Sequence, residues 1–336
     1  MHALMQHKTQ CRSTRRTFLA AAAMAMLAVG APGGAAAQAG DKVVRIVLPV
    51  ATASGVDTIT RAASPALSKT LGRPVAVENQ PGAGGIVGTS TLVRSPPDGS
   101  TLSVVSNNHV IYPSVYKSLP FDPIADITPI AVIGATPIVL VVNPNKVPAK
   151  NVGELVALLK ANPGKYNYGS SGNGTILHLA AEMFMDEAGA KVTHVPYKGV
   201  GPMLSDLIGG QIDMGTLALP SVQQHLKSGA LRAIGVGAAE RVPAAPDIPT
   251  MVEQGMPNYR VEGWFAVIGP AKMSAAEVKR VNTAFAEAFE AADVREAMAR
   301  QGNTINVSTP EYAQQFFVSE MAKYAKLVKK AGIELQ

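Results

Sequence analysis

From Val43 onward the chain alternates short apolar runs with amphipathic stretches, and this rhythm constrains its fold more than any single motif. Short apolar runs bounded by turn residues read as strands. Stretches with apolar residues every three or four positions read as helices packed on them. Val43–Pro49, Val75–Glu78 and Leu102–Ser106 read as strands, and Asp57–Leu71 as a helix. Ser54 and Asp57 have the S-x-x-D spacing of a capping box at that helix's start. Ala131–Val142 is longer and apolar, as a central strand buried on both faces should be.

A second set of units follows Asn143-Pro144. The spacing predicts helices at Val152–Ala161, Thr175–Ala188, Met203–Ile208 and Ser221–Lys227. Strands are expected at Tyr166–Ser170, Val192–Val195, Ile212–Thr216 and Leu231–Val236. After the Pro-rich Val242–Pro249 comes a last apolar strand, Val261–Ile268. Two long helices close the chain, Ala275–Arg300, with a break expected near Asp293, and Pro310–Ala331. The expected class is α/β with a largely parallel sheet. The strand at 131–142 leaves the first module and the strand at 261–268 returns to it. Two crossings of that kind make a hinge. The expected division is 40–142 with 264–336 as one lobe and 143–263 as the other.

Residues 1–39 belong to neither lobe. Basic Arg12, Arg15 and Arg16 precede an apolar stretch from Phe18 to Val29, and Ala35-Ala36-Ala37-Gln38-Ala39 offers cleavage after Ala37 or Ala39. This reads as an export signal; its apolar stretch of about a dozen residues falls short of the ~20 that span a membrane. Thr14-Arg15-Arg16-Thr17-Phe18-Leu19 resembles a twin-arginine signal, the alternative being an ordinary Sec signal. The single cysteine, Cys11, leaves with this segment. Disulfides, thiolate metal sites and cysteine nucleophiles are thereby excluded from the exported chain. Lys8, Arg12, Arg15 and Arg16 also hold four of the net +6 charges, with no acid among residues 1–39, which leaves +2 for the rest. Without a basic run there is no footprint for nucleic acid.

Gly82-Ala83-Gly84-Gly85-Ile86-Val87-Gly88 imitates a dinucleotide fingerprint, but Val87 stands where the third glycine is required. A tight helix start is the better reading. Gly169-Ser170-Ser171-Gly172-Asn173-Gly174-Thr175 joins a strand's C-terminal end to a helix, where open α/β sheets bind ligands and helix N–H groups favour an anion. Val50-Ala51-Thr52-Ala53-Ser54-Gly55 occupies the same position in the first module. His178, one turn into its helix, either faces the site or caps and solvates. Trp264 either lines a ligand or fills the core between lobes. Neither H-E-x-x-H nor an EF-hand loop occurs, so neither a catalytic constellation, a metal site nor a cofactor is expected.

Several blocks in order resemble the Bug family, the substrate-binding receptors of tripartite tricarboxylate transporters. They are Val77-Glu78-Asn79-Gln80-Pro81-Gly82-Ala83-Gly84-Gly85, Pro97-Asp98-Gly99-Ser100-Thr101-Leu102, Phe121-Asp122-Pro123 and Tyr168-Gly169-Ser170-Ser171-Gly172. His194-Val195-Pro196-Tyr197-Lys198-Gly199, Asp206 through Asp213, and Pro246-Asp247-Ile248-Pro249-Thr250 continue the match. The resemblance implies a two-lobed periplasmic binding protein of type II that captures a small carboxylate and hands it to inner-membrane transporter subunits; a monomer is expected. It implies two opposed loops gripping the ligand through backbone amides and waters. Carried onto this chain, Ala51, Thr52, Ser54, Gly55 and Asp57 form one loop. Ser170, Ser171, Gly172, Gly174, Thr175 and His178 form the other, and Ser106, Asn107, Tyr197 and Asp213 supply walls. The first loop departs from the family's Pro- and Gly-rich pattern, since Ala51-Thr52-Ala53-Ser54 adds β-carbons and hydroxyls. Two other readings are an orphan receptor that presents its ligand to a sensor kinase, and a secreted hydrolase using Ser170 or Ser171 with His178 or His194.

Overall fold

The computed structural model describes residues 43–335. The expected export signal, its cleavage points at Ala37 and Ala39, and Cys11 lie outside the described residues. Among the described residues no helix is long and apolar enough to cross a membrane.

The first units are β1 (Val44–Leu48), α1 (Gly55–Leu71), β2 (Val75–Asn79), α2 (Ile86–Val93), β3 (Thr101–Ser106) and α3 (Asn108–Val115). The forward half of the expected capping box forms, while its return bond goes to the residue before the cap, not to the cap itself. Ser54 Oγ accepts the Asp57 N–H at 3.2 Å, and Asp57 Oδ2 accepts the Ala53 N–H at 3.2 Å. Gly72 ends α1 in the left-handed region, φ 64°. The glycine segment does what a tight helix start needs: a β-carbon on Gly88 would sit 2.8 Å from both the Gln80 carbonyl and Pro49 Cα. Helix α3 is not legible in the sequence, because Pro113 and β-branched residues are weak helix formers. Burial of His109, Val110, Ile111, Tyr112 and Val115 holds it instead.

The next units are β4 (Ile127–Val142), α4 (Val152–Ala161), β5 (Asn167–Ser170), α5 (Ile176–Ala188), β6 (Thr193–Pro196), α6 (Val200–Ile208), β7 (Met214–Ala218), α7 (Leu219–Lys227) and β8 (Arg232–Val236). The chain closes through β9 (Glu262–Pro270), α8 (Ala275–Glu290), α9 (Ala292–Arg300), β10 (Thr304–Ile305) and α10 (Pro310–Lys330). The break expected near Asp293 falls at Ala291, which is both the C-cap of α8 and the N-cap of α9.

Strand order is β2-β1-β3-β9-β4-β7-β5-β6, with β8 and β10 also paired to β4. Two parallel groups, β2-β1-β3 and β7-β5-β6, form the two lobes. The expectation of a largely parallel sheet needs correction at the centre, where every pairing made by β4 and β9 is antiparallel. The cause is topological: one strand carries the chain out of the first lobe and the other carries it back. β4 pairs with β9 over 127–137, with β7 over 138–142 and with β8 over 139–142, so one continuous strand belongs to both lobes.

Ile46, Ile59, Leu67, Val281, Phe285 and Phe289 pack α1 and α8 onto the first lobe's sheet. A second core runs from Phe317 and Tyr324 on α10, across the crossing strands, to Tyr168, Phe184 and Met203 in the other lobe. Both cores leave the C-terminal ends of the parallel strands free, and those ends face each other.

Candidate ligand-binding site

A cavity of about 760 Å³ lies between these strand ends. Its lining includes the starts of six helices: Ser54, Gly55 and Val56 of α1, Gly85 before α2, and Asn107 and Asn108 of α3. Thr175, Ile176 and Leu177 of α5, Gly199 and Val200 of α6, and Ala218 and Ser221 of α7 complete them. First-turn N–H groups have no partner within their helix, and each N-terminus carries roughly half a positive charge. Among the described residues lining the cavity, Lys198 is the one cationic side chain, and Asp and Glu do not occur.

The first loop is tied down from behind. Asp57 is 5% exposed; its Oδ1 accepts Arg61 Nε at 2.8 Å and Asn79 Nδ2 at 2.9 Å. Arg61 also donates to Asn79 Oδ1 at 2.6 Å, so this arginine braces the loop and does not enter the cavity. Ala51, Ser54 and Gly55 line the cavity; Thr52 is exposed and lies outside the lining, as does Asp57. Ala53 adopts φ 64°, in the left-handed region, where a β-carbon costs about 1 kcal/mol. Relief of that strain exceeds the extra chain entropy of glycine, so Ala53→Gly should stabilise the fold by about 0.5 kcal/mol. Urea unfolding measures it; a destabilised variant would contradict the strain.

The second loop contributes Ser171, Gly172 and Thr175 to the lining, while Ser170, Gly174 and His178 lie behind it. Ser106, Asn107 and Tyr197 border the cavity, and Tyr197 donates to Asp206 Oδ2 at 2.7 Å. Burial, with Asp206 beside it, pushes the Tyr197 phenol up to about 12. Asp213 is at the other end of its strand. Its Oδ2 accepts the Asn167 N–H at 2.8 Å, about 16 Å of extended chain from Ala218 at the cleft. Ser170 Oγ lies 2.6 Å from His194 Nε2, which supplies a serine–histidine pair. The serine is fully buried, and Oγ is also engaged by the Gly172 N–H at 3.2 Å and carbonyl at 3.1 Å, so it does not meet a ligand as a nucleophile.

Trp264 belongs both to the core and to the cavity wall. It borders the cavity, yet it is 6% exposed and packs against Phe316 and Phe317. Its N–H donates to Asn107 Oδ1 at 3.0 Å and its Nε1 to Glu320 Oε2 at 2.8 Å. Sequence reasoning missed Thr136 and Asn108. The Thr136 hydroxyl, on the crossing strand at the cavity floor, is buried without a hydrogen-bond partner among the described residues. Asn108 Oδ1 accepts the Ile176 N–H at 2.9 Å, so the first lobe caps α5 of the second. Ser221 Oγ donates to the Ala53 carbonyl at 2.8 Å, a second bond across the cleft.

A sequence model of the tripartite tricarboxylate transporter family receptor matches residues 59–333. BugT of Bordetella pertussis is 33% identical over 295 residues, covering 87% of this chain and 90% of its own. The structure of the periplasmic binding protein BugD has a TM-score of 0.83 at 30% identity, over 88% of this chain and 99% of that one. Rpa4515 of R. palustris, solved with adipate, has a TM-score of 0.84 at 29% identity, over 88% and 99%. The chain thus belongs to the tripartite tricarboxylate transporter receptor family, and is a periplasmic substrate-binding protein rather than an enzyme.

Proposed function

We propose that the cleft captures a small organic carboxylate and that lobe closure presents it to the membrane subunits of a tripartite transporter. The observation that carries this is the convergence of six helix N-termini on one cavity whose lining has no acidic side chain. Such a cavity attracts an anion through fixed N–H dipoles and needs no arginine clamp. The adipate held by Rpa4515 makes dicarboxylates the first ligands to test. The ligand-contacting set comprises Ala51, Ser54, Gly55, Ser106, Asn107, Ser171, Gly172, Thr175 and Tyr197, with Thr136 and Asn108 added. The lobes proposed are 40–142 with 264–336, and 143–263, hinged on β4 and β9. The protein acts as a monomer after export by a Sec or twin-arginine signal cleaved at Ala37 or Ala39.

Calorimetry of the refolded, ligand-free protein against adipate, malate, citrate, glutamate and benzoate tests the reading. Micromolar or tighter binding of at least one is expected, a free energy near −8 kcal/mol or better. Failure of every carboxylate, alongside tight binding of a neutral sugar or a metal cation, overturns it.

A further inference from the structure

Behind the second loop, outside the cavity lining, lies a largely buried polar cluster. His178 of α5 and His194 of β6 stack with ring centroids 3.9 Å apart and planes 11° from parallel. Tyr168 of β5 stacks on His194 at 4.8 Å, and its hydroxyl donates to Glu182. Each imidazole holds one end of the loop. His194 Nε2 is 2.6 Å from Ser170 Oγ, and that Oγ in turn accepts the Gly172 N–H. His178 Nδ1 accepts the Gly174 N–H at 3.0 Å. Ser171, Gly172 and Asn173, which line the cavity, therefore lie between two anchors, Ser170 and Gly174, that both end on this stack.

We propose that His178 and His194 are positioning residues: a neutral, stacked imidazole pair that holds the 170–174 turn in the shape that receives the ligand. The hydrogen bonds specify the protonation state. Because Nδ1 of His178 is an acceptor, its ring proton sits on Nε2, which faces Glu182 Oε1 at 3.8 Å. A proton added to Nδ1 turns that acceptor into a donor aimed at the Gly174 N–H, and the turn loses its anchor. Glu182 and Tyr168 with His194 are the titratable groups facing His178, from its own helix, β5 and β6. Burial, then the neighbouring His194, lowers His178 to about 3, and burial lowers His194 to about 4. The pair is thus kept neutral at the pH where a receptor works, and two charged rings in this stack would repel.

The inference rests on the cleft being the ligand site, but its test uses the protein alone, so it stands or falls separately from the carboxylate reading. Long-range nitrogen–proton NMR of the parent protein should show His178 as the Nε2–H tautomer at pH 7. Hydrogen exchange should show residues 171–176 opening about tenfold faster in His178→Phe, which keeps a ring but loses the acceptor. His178→Asn, whose Oδ1 can replace Nδ1, should restore protection. An Nδ1–H tautomer at pH 7 overturns the proposal even if the phenylalanine variant fails to fold. Parent-like exchange in a folded His178→Phe overturns it as well.

Discussion

Gly199→Ala is expected to weaken ligand binding by about 100-fold while the protein stays folded. Gly199 sits before α6 with φ 120°, and a β-carbon there would lie 2.7 Å from Ala51 Cβ on the opposite lobe. Carbon atoms rest no closer than about 3.5 Å, so the lobes must part or one loop must yield. Gly174 makes the same close approach to Val115, whose side chain would stand 2.6–2.7 Å from an added β-carbon. The second lobe thus meets the first at two glycines, the contact that the proposed closure depends on. If the clash raises the closed state by about 3 kcal/mol, the binding-competent fraction and the affinity both fall about 100-fold. The backbone at Gly199, φ 120° and ψ 178°, lies in a region open essentially to glycine and adds a stability loss of about 1–3 kcal/mol. Calorimetry gives the affinity, small-angle scattering the shape with ligand present, and urea unfolding the stability. Ala51→Gly in the same chain should recover most of the affinity, since it removes the opposing carbon. A Gly199→Ala variant that binds and closes like its parent would show that the contact does not govern closure.

Those two glycines illustrate what sequence alone conveys about such a site. Which loops reach the cleft follows from strand-to-helix position, and the loops after β1 and β5 were legible because glycine and hydroxyl residues mark both. Which side of a loop faces the ligand does not follow. Asp57 and Ser170 sit in those loops yet turn inward, Asp57 to Asn79 and Arg61, Ser170 to His194. The cleft contribution of Thr136 depends on where a long strand passes between lobes, and nothing in its local sequence distinguishes it from its neighbours. Asn108 lies on a helix whose composition argues against helix. The antiparallel centre escaped notice for a related reason: periodicity reports which residues are buried, not the direction of the neighbouring strand. Ala53 is the exception that is visible twice, as a departure from a glycine-rich pattern and as a left-handed residue.

Acidification from pH 6.5 to 5 should destabilise the ligand-free protein by several kcal/mol, because two buried histidines, His109 and His178, and the half-buried His194 resist protonation. His109, fully buried against Tyr112, Phe121 and Phe317, is lowered to about 4 by desolvation, against a smaller opposing effect of the Pro123 carbonyl. Its Nε2 lies 2.7 Å from that carbonyl, while its Nδ1 is buried with no partner among the described residues. His178 and His194 are lowered to about 3 and about 4. In the unfolded chain each takes up a proton near pH 6.5. Between that value and the folded value the unfolded state binds more protons, so stability falls as pH falls. The stabilisation is complete above pH 6.5 and is lost progressively towards pH 3 to 4. Each such histidine contributes a slope of about 1.4 kcal/mol per pH unit inside the window. Ordinary carboxylates titrate near pH 4, so the histidines dominate the interval from 6.5 to 5; Glu262, raised by its burial, takes up a proton earlier in the folded chain and opposes their slope. Urea unfolding at half-unit steps should give a slope that rises from about one and a half protons at pH 6.5 towards nearly three at pH 5. His109→Gln and His178→Asn should each reduce it by about one. A flat stability between pH 6.5 and 5 would mean that the folded protein admits these protons as readily as the unfolded chain, against the burial that the core and the histidine stack impose.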